Sequence, residues 1–160
     1  MRFSHDKKNA VTFGIGHGGF EMISVVGLTL ISTLMFALTY NSLGLEGMLT
    51  GNNDAEVQAM VIEMVASIDA YSVQNVVQSV LERISALMIH VSCSIFVFKA
   101  VHNKQIKSLW IAMGLHILMN IPAALYQKQV ITNIWFVEIG ILIAACIAGY
   151  FAYITYKKMD

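Results

Sequence analysis

The chain has 160 residues, of which 57% are hydrophobic and only 12% charged, with no net charge. Soluble domains carry about a quarter charged residues, so the composition excludes an ordinary soluble enzyme and describes an integral membrane protein. A balanced charge also removes the basic field that nucleic-acid binding needs. Cys93 and Cys146 both sit in apolar runs and read as buried small hydrophobes rather than a disulfide.

Arg2, Lys7 and Lys8 open the chain with a short basic segment that lacks the form of a cleavable signal peptide. The first predicted span covers 9–40, longer than the roughly 20 residues a crossing requires. It therefore has to tilt, kink near its glycines or project from the bilayer. Residues 41–53, with Gly44, Gly47, Gly51 and Asn52-Asn53, read as a loop. An amphipathic surface helix is expected over 54–71. There Val57, Met60, Val61, Met64, Val65, Ile68 and Tyr71 recur at helical spacing opposite Glu56, Glu63 and Asp69.

Three more spans follow, over 76–99, 108–126 and 130–156. The expected fold is an all-α polytopic membrane protein, a single membrane domain of four transmembrane helices plus the amphipathic one. With four alternating spans, Arg2, Lys7, Lys8, Lys99, Lys104, Lys107, Lys157 and Lys158 fall on one side and Lys128 alone on the other. The positive-inside rule then puts both termini on the cytoplasmic side of the membrane.

Ionisable groups within apolar spans are costly and tend to mark function. His17 and Glu21 stand at i and i+4 on one helix face, as do His116 and Asn120. Gly14 and Gly18 form a GxxxG pair that admits a neighbouring backbone. Four glycines surround His17 (Gly14, Gly16, Gly18 and Gly19), and packing explains them whatever the site does. At about 1.5 Å per residue, His17, His90 and His116 all lie roughly 12–13 Å in from the basic ends of their spans. Three helices can thus bring His17, Glu21, His90, His116 and Asn120 to one polar layer. Glu82 and Arg83 read as an ion pair near the opposite interface, Glu138 as an interhelical or interfacial acid, and His5 and His102 as solvated surface.

A carboxylate beside a histidine can hold and deprotonate water, and a histidine with an asparagine can receive an oxyanion. That combination is peptide hydrolysis. Zinc binding by His17, His90, His116 and Glu21 is the competing use of the same side chains, although the HxxxE spacing is not the HExxH of zincins. A non-catalytic binding or regulatory protein, or a proton relay, would use the same layer.

Gly14-Ile-Gly-His-Gly-Gly-Phe-Glu21 resembles the GxGHGGxE signature of the YhfC family of intramembrane peptidases. Leu81-Glu-Arg followed by His90 resembles that family's second block, and His116-Ile-Leu-Met-Asn120 its third. The family is similar to the PrsW proteases and to the CAAX- and bacteriocin-processing proteases, which implies a glutamic-type mechanism without a metal cofactor, zinc being the alternative. The resemblance implies water activation by His17 and Glu21, a pocket lined by His90 and oxyanion donors in His116 and Asn120. It also implies a membrane protein or peptide as substrate. It departs at one place: no upstream EExxxR motif occurs. The chain therefore reads as lacking that N-terminal helix region, and a partner supplying the missing helices is expected.

Overall fold

The computed structural model describes residues 6–51 and 53–159; Arg2, His5 and Asn52 lie outside them. The described chain is helical, with no strand. The order is α1 (Lys8–Glu21), a π-helical segment (Met22–Gly27), α2 (Leu28–Leu49), α3 (Ala55–Asp69), α4 (Val73–His102), α5 (Ile106–Gln127) and α6 (Ile134–Lys157). Four helical stretches are long and apolar enough to cross a membrane: Lys8–Leu49, Val73–His102, Ile106–Gln127 and Ile134–Lys157. In hydrocarbon only a helix or a closed barrel satisfies its own backbone, so an apolar chain of this composition has little other choice.

The chain divides into two compact units, Met1–Glu21 with Val77–Asp160, and Met22–Val76. In the second unit, α3 starts at an N-cap: Asp54 accepts from the Glu56 backbone N–H at 2.9 Å and from that of Val57 at 3.4 Å. Its inward stripe is narrower than the sequence pattern. Val65 is buried and Val57, Val61 and Ile68 are half-buried, while Met60, Met64 and Tyr71 are exposed. Tyr40 on α2 donates to the Asp69 carboxylate at 3.4 Å.

The first span is irregular near its glycines, and its expected end needs correction. A π-helical turn covers Met22–Gly27, between Gly19 and Gly27, in a stretch that also carries the β-branched Ile23, Val25 and Val26. The helix also runs past Tyr40 to Leu49, through what reads as a loop, and bends at Gly44, whose φ of 67° only glycine adopts readily. Leu43, Leu45 and Met48 keep that segment apolar, so helix satisfies its backbone better than coil.

The first unit holds α1, most of α4, α5 and α6. Ala145, Ala148 and Ala152 make a small-residue stripe along α6, almost fully buried with Ile89, Ile95 and Phe96 of α4. The starts of α1 and α5 and the ends of α4 and α6 share one end of the bundle. There Lys7 donates to the Met159 carbonyl and lies over the Tyr156 ring, 5.4 Å from its centroid. Lys99, Lys104, Lys107, Lys157 and Lys158 belong to the same end, and Lys128 closes α5 at the other. Both cysteines are free, Cys93 half-buried and Cys146 exposed.

The seam between α1 and α4 is set by two glycines. A Cβ at Gly14 would come within 2.6 Å of the Val91 Cα, and one at Gly18 within 3.0–3.1 Å of the His90 side chain. Gly16 and Gly19 meet nothing within 4 Å. Packing therefore explains only the GxxxG pair, and the other two glycines face away from the seam. Gly14→Ala should destabilise the chain by about 1–3 kcal/mol through backbone overpacking. Gly16→Ala should be neutral or stabilising by up to about 1 kcal/mol, from helix propensity. Thermal unfolding of the two variants in lipid nanodiscs checks the contrast.

Candidate functional site

Polar groups in an apolar bundle have to find partners or be put to use. Most here are simply satisfied. Ser85 and Ser92, both buried in α4, donate to the Leu81 and Met88 carbonyls one turn back, at 2.8 and 2.7 Å. Among the described residues, His17, His90 and His116 make no such bond to their own helices.

Close contact along the Gly14–Gly18 seam brings His17 and Glu21 of α1 against His90 of α4. His90 is 6% exposed. Its Nε2 lies 3.2 Å from Glu21 Oε2, and its ring meets that of His17 edge-on, with centroids 5.1 Å apart. His116 of α5 approaches His90 from another side, at 5.6 Å between centroids. Four of the five candidate side chains, from three helices, thus form one group around His90.

Asn120 is not drawn into it. Its Nδ2 donates to the His116 carbonyl at 2.9 Å, within α5. The i, i+4 spacing that suggested a shared face also supplies this competing bond to the helix's own backbone. Sequence reasoning passed over Phe13, which stacks on His17 with the rings 4° from parallel and 5.9 Å apart. The signal was available in the i, i+4 spacing of the two rings.

A cavity of about 610 Å³ opens beside the histidines, lined by His17, His90 and His116 and otherwise mostly by apolar side chains. A separate polar set lies toward the Lys128 end. Arg83 pairs with the adjacent Glu82, and Glu138 of α6 is buried within reach of both charges. Its Oε2 has no hydrogen-bond partner among the described residues.

One imidazole nitrogen each from His17 and His90 and a carboxylate oxygen of Glu21 lie within 4.8 Å of one another. Ligand atoms at 2.0–2.1 Å from a tetrahedral zinc ion stand about 3.3 Å apart. The 3.2 Å between Glu21 and His90 matches that spacing, and the His17 nitrogen lies within 4.8 Å of both. Two imidazoles and one carboxylate are a donor set that catalytic zinc sites use, with the fourth position left open. The residues present fit the metal.

A family model described as YhfC intramembrane metalloprotease matches residues 1–141. The chain is also similar to the membrane protein YhfC of Bacillus subtilis (strain 168), with 31% identity over 150 residues. That alignment covers 94% of this chain and 57% of the relative, so the chain spans little more than half the relative's length. No solved structure matches. The expectation of a site without a metal cofactor is thereby corrected: the family is described as a metalloprotease, and the His17, Glu21 and His90 donors suit zinc. By a match over most of its length, this multi-pass membrane protein belongs to the YhfC intramembrane metalloprotease family.

Proposed function

We propose that the chain is a zinc-dependent intramembrane peptidase, with His17, Glu21 and His90 as the metal's protein ligands. The observation that carries this reading is the meeting of those three donors within 4.8 Å of one another in an apolar bundle. When bound there, zinc would polarise the scissile carbonyl and make water a nucleophile at neutral pH. The rest falls to the chain itself. Gly14 and Gly18 hold α1 close enough for donors from two helices to converge. His116, beside His90 but outside the closest three, would take a proton from the attacking water and return it to the leaving amine. Apart from Asn9 and Ser94, the cavity lining beside the histidines is apolar, and charge interactions in such a setting are stronger than in water.

The substrate class is a membrane-embedded or membrane-anchored peptide segment, since the site lies within apolar helices. The gathering of lysines at one end of the bundle supports an inner-membrane orientation with both termini cytoplasmic and the histidine layer in that half of the bilayer. The longer relative leaves room for further helices, supplied in cis or by a partner, to complete the substrate channel.

Full-chain protein in nanodiscs, measured by elemental analysis and zinc titration, should hold one equivalent of zinc. His90→Ala and Glu21→Gln should each weaken binding more than about 100-fold, since even outer-shell partners account for 10–100-fold. Gly18→Ala pushes on the His90 ring and should cost about 10–100-fold, whereas Gly19→Ala should change nothing. Undiminished zinc in His90→Ala would remove the site.

Hydrolysis of membrane peptides in the same nanodiscs should stop with 1,10-phenanthroline and return with added zinc. His116→Ala should keep its zinc and lose about 10²–10⁴-fold in rate, the ordinary value of a general acid-base group. A zinc-loaded chain that cleaves nothing would make it a binding protein on the protease fold.

A further inference from the structure

The cavity beside the histidines has a direction. Its α1 walls, Ala10 and Phe13, precede His17; its α4 walls, Val97 and Val101, follow His90; its α5 walls, Ala112 and Met113, precede His116. Because α4 runs opposite to α1 and α5, every one of these offsets points toward the same, lysine-bearing end. Glu21 and Asn120, one turn beyond their histidines in the other direction, do not line it. The histidine layer therefore closes one end of a groove rather than sitting midway along it. From Ala10 to His17 the groove runs about 10 Å, and from His90 to Val101 about 16 Å, at 1.5 Å per helical residue. An extended chain at about 3.3 Å per residue covers that length with three to five residues.

We propose that this groove seats an extended, uncharged apolar peptide segment of about four residues, flanking one side of the scissile bond and entering from the lysine-bearing end. The inference rests on the peptidase reading, and the groove's continuity with the three histidines is what selects a peptide over a lipid chain as its occupant. Apart from Asn9, Ser94 and the histidines at its closed end, the walls are apolar; Phe13, Val97, Val101 and Met113 offer no partner to a charged side chain, and burying a charge without one is strongly unfavourable. Leucine or phenylalanine in the segment is therefore favoured over aspartate or lysine. Only one flank of the cleaved bond is selected in this way, since the groove does not continue past the histidine layer.

The test is binding of two dansyl peptides to the 160-residue chain in zinc-loaded nanodiscs. One carries four leucines beside a central Ala-Ala, the other four aspartates at the same places. Val97→Trp and Met113→Trp fill the groove. Ile117→Trp, on an exposed face of α5 outside the groove, controls for added bulk, and partition into lipid is common to all four proteins and cancels. Val97→Trp and Met113→Trp should each weaken leucine-peptide binding at least tenfold, Ile117→Trp should not, and zinc content should stay at one equivalent throughout. Equal binding of the leucine peptide by all four proteins, as when lipid alone fills the groove, overturns the inference. Loss of groove binding in the two filled variants of a chain that holds no zinc and cleaves nothing would uphold the groove and sink the peptidase reading.

Discussion

The first unit depends on how closely α1 can lie on α4. At Gly14 there is no room for even one methyl group between the helices, and at Gly18 the space a Cβ would take is already filled by the His90 side chain. In water such a contact would be one packing detail among many. In lipid, where the surrounding chains are as apolar as leucine, close backbone approach supplies much of what holds helices together. The same approach assembles the candidate site: side chains one turn apart on α1 reach a third on α4 only because the helices are this near.

That constraint also accounts for the distribution of polarity. A buried histidine next to a carboxylate costs free energy wherever water is absent. The serines of α4 avoid that cost by bonding back to their own helix, and Asn120 does the same on α5. Among the described residues, the imidazoles of His17, His90 and His116 and the Glu21 carboxylate make no such bond. They gather into one group instead, and three of them form a donor set that suits a metal. Glu138, whose Oε2 has no hydrogen-bond partner among the described residues, stands apart from this group at the other end and shows that not every buried acid here belongs to one site.

Much of the histidine layer was legible in the sequence because it follows from two rigid quantities. The rise of an α-helix fixes depth from the basic span ends, and the i, i+4 repeat fixes facing, so His17, His90 and His116 could be placed at one level before any coordinates. What counting could not supply was rotation about each helix axis. Gly16 and Gly19 look like their neighbours in sequence but point away from the seam, and the Asn120 amide turns to its own backbone. The π-helical turn at Met22–Gly27 ends on a glycine and carries β-branches, neither of which tells it from ordinary helix in the sequence, and the helix through Asn41–Leu49 was hidden by glycines and asparagine that signal turns in water. Lipid changes that balance, because an unsatisfied backbone costs more there than poor helix propensity.

Zinc K-edge X-ray absorption on the full chain in nanodiscs, loaded with one equivalent of metal, asks most directly whether the seam between α1 and α4 builds a metal centre. A shell of nitrogen and oxygen at about 2.0–2.1 Å, with the outer-shell pattern of two imidazoles and no sulfur at about 2.3 Å, is the result expected from His17, His90 and Glu21. A sulfur shell from Cys93, or a spectrum without imidazole scattering, would contradict it.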